Sequence, residues 1–315
     1  MIKTPLCQLL GIEYPIIQGG MAWAADASLA AAVANGGGLG LISAMNSGPD
    51  WLRKEIAKAR ELTEKPFGVN IMLLGPFTDQ VAEVVVEEGV KYVTTGAGSP
   101  SKYMDSWLAA GITVIPVVAS TAVAKRMERC GAAAVIAEGG EAGGHVGEIS
   151  TMALVPQICD AVDIPVVAAG GIADGRGVAA SFMLGAVGVQ VGTRFLVATE
   201  CNIHRNYKNK IINAKDIDTI TTGKRLGHPV RCLKTRFSRE FFKKEFDSTV
   251  TDEELEAFGV GALRMAALDG NLERGCFMAG QVCALVKKEQ PAAEIIREMF
   301  SEAETVLRCA GKCIE

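Results

Sequence analysis

Short apolar runs recur eight times along the first two thirds of this 315-residue chain, and amphipathic stretches separate them. Gly, Pro, Ser or Asn bounds each run, and several runs are rich in Val and Ile, which is typical of buried parallel strands. One strand and one helix, repeated at roughly 20–30-residue spacing, predict an α/β fold, the (β/α)8 TIM barrel. The predicted strands cover residues 15–18, 39–43, 67–73, 92–96, 112–119, 134–138, 164–169 and 188–193.

The amphipathic stretches carry the residues that begin and end helices. The stretch 26–35 is followed by Gly36, a favourable residue after a helix, and the stretch 50–63 begins with Asp50, which can cap one. These patterns predict helices between the strands. The predicted barrel helices cover residues 26–35, 50–63, 79–88, 101–110, 121–130, 150–162 and 175–184.

A doubly wound parallel sheet is the alternative to a barrel. That fold usually has fewer strands, and it places its phosphate-binding glycines after the first strand. The richest glycine turns of this chain follow the sixth, seventh and eighth predicted strands instead. The positions of the glycines therefore favour the barrel.

The regular alternation ends after Phe195. We predict that residues 1–200 form the barrel. Residues 201–315 are then expected to contain the last barrel helix, a basic insertion and a helical cap against the active-site face. The stretch 213–246 is polar and mixed, and helices are predicted over residues 201–212, 251–258, 260–269, 278–288 and 292–307.

Charge and composition exclude several classes of protein. The net charge of −4 argues against a nucleic-acid binder, which is usually basic. No run approaches about 18 uninterrupted apolar residues, so no membrane span is predicted, and residues 1–15 do not resemble a signal peptide. Nine scattered cysteines without a C-x-x-C pair predict reduced thiols, with no disulfide framework and no metal site. We therefore expect a cytoplasmic protein.

Two glycine turns at the ends of the seventh and eighth strands are the strongest functional signal. They contain Ala169-Gly170-Gly171 and Gln190-Val191-Gly192-Thr193. Barrels commonly bind a phosphate between these two loops, because glycine lets the anion approach unpaired backbone N–H groups. Simple tight turns are the alternative. A G-x-G-x-x-A match at residues 175–180 lies inside the seventh unit, so we assign it to helix packing rather than to a dinucleotide site.

The segment 138–147, EGGEAGGHVG, follows the sixth strand. Its glycines, which include Gly143 and Gly144, predict a mobile loop that approaches other backbone closely. His145 in this loop is a candidate acid or base, because an imidazole titrates near neutral pH; a structural histidine or a phosphate contact is the alternative. Glu138 could accept hydrogen bonds from a chain of hydroxyl groups, or it could cap the loop.

Small and amide-bearing residues are predicted at the rim of two further strands. Gly20, Met21 and Ala22 follow the first strand, and Asn70 lies near the end of the third. The Asn70 side chain offers both a donor and an acceptor, which suits a heterocycle with amide-like edges, although an ordinary turn cap is equally compatible with its position. Residues 96–100 form another wide turn.

Four blocks, in this order, resemble one superfamily. It comprises the FMN-dependent barrels that include nitronate monooxygenases (2-nitropropane dioxygenase-like proteins) and the flavin-type enoyl-acyl-carrier-protein reductase, reductase II. The blocks are IIQGGM at 16–21, AGGHVG at 142–147, AAGGI at 168–172 and VGTRF at 191–195. Two further stretches, 94–103 and 278–282, are more similar to the reductase.

The resemblance implies a role for each matching residue. The FMN phosphate would lie at the two glycine turns, the isoalloxazine against the first and third strands, the ribityl chain at Glu138, and catalytic His145 on the substrate side. The implied cofactor-binding residues are Gly20, Met21, Ala22, Asn70, Glu138, Gly143, Gly144, Ala169, Gly170, Gly171, Gln190, Gly192, Thr193, Met278 and Gln281.

The resemblance also implies an activity, enoyl-acyl-carrier-protein reduction in the last step of fatty-acid elongation. NADH or NADPH would reduce FMN, which would then pass hydride to the β-carbon of a trans-2-enoyl thioester. His145 would protonate the α-carbon or polarise the thioester carbonyl. The reductases of this family are typically homodimers stimulated by monovalent cations, and we expect a homodimer here.

Three other functions are considered. A nitronate monooxygenase would use the same flavin with oxygen and without a nicotinamide. A non-catalytic flavin-binding barrel would bind the flavin but catalyse no reaction. A barrel dehydrogenase of the purine-nucleotide type would need a catalytic cysteine in the loop after the sixth strand, and residues 138–147 contain none.

The segment 205–244 is basic within an acidic chain. It could be a docking surface for an acidic acyl carrier protein, because complementary charge raises association rates and selects partners. A solvated surface is the alternative. The basic residues are Arg205, Lys208, Lys210, Lys215, Lys224, Arg225, Arg231, Lys234, Arg236, Arg239, Lys243 and Lys244.

Overall fold

A computed structural model describes residues 2–44 and 47–313 of the chain. Eight parallel strands in it form the predicted barrel, in the order β1-β9-β8-β6-β5-β4-β3-β2. The strands of the described part, numbered along the chain, are β1 (Ile16–Gln18), β2 (Gly40–Ser43), β3 (Phe67–Met72), β4 (Tyr92–Gly96), β5 (Thr113–Val118), β6 (Val135–Glu138), β7 (Gly144–His145), β8 (Val166–Ala169), β9 (Gly188–Val191), β10 (Thr219–Thr222) and β11 (Val230–Leu233).

The sheet closes on itself between β1 and β2. The two strands meet at a parallel bridge between Ile17 and Leu39, and β1 pairs with β9 on its other side. The backbone N–H of Gln18 donates to the Leu39 carbonyl at 2.9 Å, and the buried Gln18 side chain accepts from the Leu41 N–H at 3.0 Å. The doubly wound alternative is therefore wrong, because an open sheet would leave both of its outer strands unpaired.

Helices follow the strands around the outside of the barrel, close to the predicted positions. The α-helices of the described part are α1 (Pro5–Leu10), α2 (Ala27–Asn35), α3 (Pro49–Leu62), α4 (Thr78–Glu87), α5 (Met104–Ala109), α6 (Thr121–Arg129), α7 (Thr151–Cys159), α8 (Gly175–Met183), α9 (Arg205–Ile212), α10 (Arg236–Glu245), α11 (Asp252–Gly259), α12 (Ala262–Ala267) and α13 (Ala292–Ala310).

The barrel interior is filled by side chains at its amino end. Inward-facing Leu41, Ile115, Ile136 and Val167 form one buried cluster, and Leu6 and Leu10 of α1 belong to the same cluster. Leu6 packs beside Gly188, the first residue of β9, so α1 covers the amino end of the barrel. A ligand can therefore reach the barrel only from the carboxyl end of its strands.

The eighth barrel helix is the last helix of the chain. Helix α13 packs against both α8 and α2 and so fills the gap that remains in the helical ring. The segment 198–291 is consequently an insertion between the eighth barrel strand and its helix. The sequence predicted the helix over 292–307 but did not identify the inserted position of the cap.

The cap contains an antiparallel sheet in addition to helices. β10 pairs with β11, and β11 pairs with β7, the two-residue strand that contains His145. The sequence predicted a helical cap with a polar, mixed stretch over 213–246, and it did not identify this hairpin or helix α10 within that stretch. The predicted helix over 278–288 is wrong. Met278 forms a β-bridge with Cys232, and only Gln281–Leu285 forms a short 3-10 helix. Groups that are distant in sequence form hydrogen bonds with the backbone of this segment, and these bonds replace those of a helix.

The remaining composition-based expectations concern membranes, thiols and metals. Within residues 2–44 and 47–313, no helix is long and apolar enough to cross a membrane. The cysteines between Cys7 and Cys309 are all free thiols. The same residues contain no cluster of three His, Cys, Asp or Glu side chains that could hold a metal ion.

Gly40 is required by the packing of α2 on β2, and this generates a stability prediction. A Cβ at position 40 would lie 1.9 Å from the carbonyl oxygen of Ala30, which is backbone and cannot rotate away. We expect Gly40→Ala to cost about 3 kcal/mol and to lower the melting temperature by about 6 °C. Gly311→Ala is the control, since Gly311 has helical dihedrals and open space around it. Equal melting temperatures for both variants would contradict the packing argument.

Candidate active site

A cavity of about 720 Å³ opens at the carboxyl end of the barrel strands, between the barrel and the cap. This volume lies within the usual range for small-molecule sites. Every predicted site residue except Gln281 lines the cavity. They are Gly20, Met21, Ala22, Asn70, Glu138, Gly143, Gly144, His145, Ala169, Gly170, Gly171, Gln190, Gly192, Thr193 and Met278. The Gln281 side chain is exposed, and only its backbone N–H contacts the site region, by donating to the Glu141 carbonyl.

The two glycine turns lie side by side, because β8 and β9 are neighbours in the barrel. Gly170 and Gly171 both have positive φ, 89° and 74°, a conformation that glycine adopts without strain. The backbone N–H groups of Gly170, Gly171, Gly192 and Thr193 have no hydrogen-bond acceptor among the described residues. Converging, unpaired N–H groups form an anion-binding cradle.

The first and third strands form one wall of the cavity. The Asn70 side chain lies directly over Gly20, where a Cβ would be 2.2 Å from the Asn70 Cγ. Thr94 of β4 donates a hydrogen bond of 2.9 Å to the Asn70 Oδ1, which fixes the amide in place. Asn70 is therefore a strand residue rather than the turn cap considered as an alternative, and its amide is oriented within the wall of the cavity.

Glu138 ends β6 and extends its carboxyl group into the cavity. No described residue forms a hydrogen bond with this carboxyl group, so it does not cap the glycine-rich loop. Burial without a partner raises the pKa of Glu138 to about 7. The group can therefore either accept or donate a hydrogen bond near neutral pH.

The loop that contains His145 is held by the cap, contrary to the expectation of a mobile segment. His145 pairs with Val230 of β11, and the Val146 N–H donates to the Pro229 carbonyl at 3.0 Å. Arg231 of the same strand donates to the Gly140 carbonyl at 2.9 and 3.2 Å through two guanidinium nitrogens. Positive φ at Gly144 and the close approach of Gly143 to Ala279 explain the glycines of this loop.

The His145 side chain lines the cavity and remains exposed to solvent there. Partial desolvation by the surrounding cavity wall, and to a lesser degree the neighbouring His228, lower the pKa of His145 below the ordinary value of 6.5. His145 is therefore mostly neutral at pH 7. A neutral imidazole can donate a hydrogen bond from one ring nitrogen and accept one at the other.

Several cavity residues were not predicted from the sequence. Glu141 accepts hydrogen bonds from the Thr151 N–H and hydroxyl at 2.8 and 2.9 Å and so caps α7, where the Ser150 side chain forms no cap. His228 and Arg126 also line the cavity. Glu141 lies inside the glycine-rich segment 138–147, so its presence in the cavity could have been predicted from its position. The other two were not, because only the tertiary structure brings their elements to the cavity.

The basic segment does not form a single exposed patch. Lys208 is buried and binds the Ala198 carbonyl and Glu289, while Arg231 holds the loop before His145. Arg225 binds Asp252 and two backbone carbonyls, and Arg236 pairs with Glu273. These internal partners leave fewer free cations for a carrier protein than the sequence suggested.

The raised pKa of Glu138 generates a pH prediction. A carboxyl group with a higher pKa in the folded than in the unfolded state stabilises the fold at low pH, and this stabilisation is lost as pH rises from about 4.5 through about 7. The isosteric Glu138→Gln carries no ionisable group. We expect the flavin-free variant to gain stability relative to the parent between pH 5 and pH 8.5, by up to about 3 kcal/mol.

Chemical unfolding of both proteins at the two pH values measures this difference. Glu148→Gln, on an exposed residue just beyond the loop, is the control and should leave the difference near zero. A stability difference for Glu138→Gln that does not change with pH would contradict the raised pKa.

The two hydrogen bonds from Arg231 generate a prediction about the His145 loop. Charge-assisted hydrogen bonds contribute about 1.5–3 kcal/mol, so Arg231→Met should open the loop and speed hydrogen exchange of the Val146 amide by roughly tenfold or more. Arg239→Met removes the same charge from an exposed position in α10 and should leave this exchange unchanged. Unchanged exchange in Arg231→Met would mean that the strand pairing alone holds the loop.

Comparison with known proteins identifies relatives over the whole barrel and cap. The nitronate monooxygenase family model matches residues 3–302. The structure of FabK from Thermotoga maritima has 48% sequence identity and a TM-score of 0.97, with all of both chains covered. A probable nitronate monooxygenase of Staphylococcus saprophyticus is 34% identical, and the match covers 97% of this chain and 99% of that protein.

A third relative comes from Mycobacterium tuberculosis. It is named (3aS,4S,5R,7aS)-5-hydroxy-7a-methyl-1-oxo-octahydro-1H-indene-4-carboxyl-CoA dehydrogenase, and it is 33% identical over all of this chain and 99% of its own length. Relatives of the same fold thus carry three different activity names. The matched family model and these full-length similarities show that the chain belongs to the nitronate monooxygenase family of flavin-dependent oxidoreductases.

Proposed function

We propose that this chain is an FMN-dependent enoyl-acyl-carrier-protein reductase, which uses NADH or NADPH to saturate a trans-2-enoyl thioester. One observation carries the proposal. A single cavity contains both the N–H cradle and His145, in a chain that is similar to FabK over its full length. FabK is the flavin-type enoyl reductase that the sequence motifs resemble.

The residues of the cavity fit FMN on several grounds. The unpaired N–H groups of Gly170, Gly171, Gly192 and Thr193 suit a phosphate dianion, and the glycines leave no Cβ to obstruct it. Gly20, Met21, Ala22 and the fixed amide of Asn70 offer a flat wall with polar atoms for a heterocycle. Glu138, which lacks a protein partner, would bind ribityl hydroxyl groups, and Gln190 and Met278 complete the pocket. Gln281 is not part of this set.

FMN, when bound, supplies the hydride chemistry between the nicotinamide and the β-carbon of the thioester. The protein must then stabilise negative charge at the thioester carbonyl and deliver a proton to the α-carbon. The minor imidazolium form of His145 would transfer its proton to the α-carbon and return to the neutral imidazole, whose ring N–H can donate a hydrogen bond to the carbonyl. Solvent at the cavity mouth then restores the proton on the imidazole.

A nitronate monooxygenase is the second candidate, and the Staphylococcus relative and the family model favour it. This activity would use oxygen in place of the nicotinamide. The name of the mycobacterial relative points instead to CoA thioesters as substrates of that protein. A thioester substrate is therefore compatible with the name of this relative as well as with the proposed reductase activity.

The assembly and partners of the enzyme are proposed on the same basis. The substrate would reach the cavity on an acyl carrier protein, and the chain would act in the cytoplasm as a homodimer. Activation by a monovalent cation is an expectation of the family resemblance. We propose no membrane or nucleic-acid partner.

The test is anaerobic oxidation of NADH and NADPH by the FMN-loaded protein, with and without a trans-2-enoyl thioester. We expect oxidation that depends on the thioester, with the saturated thioester as product. His145→Ala should lower kcat by roughly 10²–10⁴-fold, the usual contribution of a general acid. His204→Ala, which alters a histidine that caps α9 outside the cavity, controls for general effects of losing an imidazole.

Three results would contradict the proposal or a part of it. Turnover only with a nitronate and oxygen would assign the chain to the monooxygenases. A His145→Ala variant within roughly twofold of the parent would remove the role of His145, because that loss is far below the range expected for a general acid. FMN binding without any turnover would indicate the non-catalytic flavin-binding barrel.

A further inference from the structure

Arg126 is a charged residue of the cavity wall that the proposed chemistry does not use. Among the described residues that line the cavity, it alone carries a permanent positive charge; the acids there are Glu138 and Glu141. Arg126 is exposed, and its guanidinium forms no hydrogen bond or ion pair with any residue that the structure describes. A free guanidinium at the wall of a substrate cavity is available to bind an anion.

The position of Arg126 on α6 explains why its charge reaches the cavity. Helix α6 follows β5 and begins at the carboxyl end of the barrel, where the Ser120 hydroxyl caps it. Side chains of a helix incline toward its amino end, so Arg126, in the second turn, extends back toward the mouth. Val123, one turn earlier on the same face, lines the cavity beside it.

Arg126 does not belong to the flavin phosphate cradle. The cradle follows β8 and β9, whereas α6 follows β5, and the barrel order places β6 between β5 and β8. Neighbouring strands are about 4.8 Å apart, so two to three strand spacings separate the bases of the two sites by roughly 10–14 Å. Arg126 therefore lies apart from the cradle within the same cavity.

We infer that Arg126 binds the phosphate of the 4′-phosphopantetheine arm of the thioester substrate. This inference rests on the proposed function. Thioesters of coenzyme A and of acyl carrier protein share this arm, and its phosphate is the charged group nearest to the thioester. The long arm must pass through the mouth of the cavity to bring the thioester to His145. A bidentate guanidinium there would hold the phosphate while the neutral arm enters the barrel.

The test compares two substrates that differ only in the phosphate, a trans-2-enoyl thioester of 4′-phosphopantetheine and the same thioester of pantetheine. The variants are Arg126→Gln and, as the matched control, Arg129→Gln, which removes the same charge from an exposed residue of α6 outside the cavity. The readout is the ratio of the KM values for the two thioesters. We expect Arg126→Gln to raise the KM for the phosphopantetheine thioester roughly tenfold relative to the KM for the pantetheine thioester. Arg129→Gln should keep this ratio within about twofold of the parent.

A second measurement needs no turnover. Calorimetry of FMN-loaded protein should give tighter binding of 4′-phosphopantetheine than of pantetheine, and Arg126→Gln should abolish the difference. If the parent reduces no thioester, the proposed function fails, while this binding result still tests Arg126.

Two results would overturn the inference. One is an Arg126→Gln variant whose KM ratio equals that of the parent. The other is a rise in the KM for NADH or NADPH with an unchanged ratio, which would place the nicotinamide phosphates at Arg126.

Discussion

The structure depends on the closure of the sheet between β1 and β2. The strands there are short, and their backbones pair only at a single bridge. The buried Gln18 side chain accepts a hydrogen bond from the Leu41 N–H and so continues the hydrogen bonding between the two strands. A closed barrel has no edge, and its amino end is filled by side chains and covered by α1. Only the carboxyl ends of the strands remain open. Gly20, Asn70, Glu138 and the two glycine turns are therefore brought to one cavity by the closure itself.

This dependence explains how much the sequence could predict. Each barrel strand is a local pattern, and the barrel fixes which end of each strand meets the cavity, so the residues that follow the strands were assigned correctly to one face. The cap could not be predicted in this way. Tyr207 binds the Met278 carbonyl, and the Gly280 N–H binds Thr193, which replaced the helix expected over 278–288. These partners are distant in sequence, and apolar periodicity does not reveal them.

The position of the cap matters for the function. It is inserted between the eighth strand and α13, and its strand β11 pairs with β7, so the cap holds the loop that contains His145. The proposed flavin cradle lies on the barrel, whereas His145, His228 and Met278 depend on the cap for their positions. Changes within β11 can therefore alter the substrate side directly, whereas the cap meets the cradle through the Gly280 N–H on Thr193. This division is consistent with relatives that share the fold and carry different activity names.

The charges of the cavity follow the same division. An ionised carboxylate near the cradle would repel a bound phosphate. The surroundings of Glu138 and Glu141 reduce this repulsion in different ways. Glu141 accepts hydrogen bonds from the N–H and hydroxyl of Thr151 at the start of α7, so the positive end of the helix dipole lies against this side chain. Glu138, with a pKa near 7, is largely protonated in slightly acidic solution. The lowered pKa of His145 keeps the imidazole neutral. Among the described residues of the cavity wall, the permanent positive charge is that of Arg126.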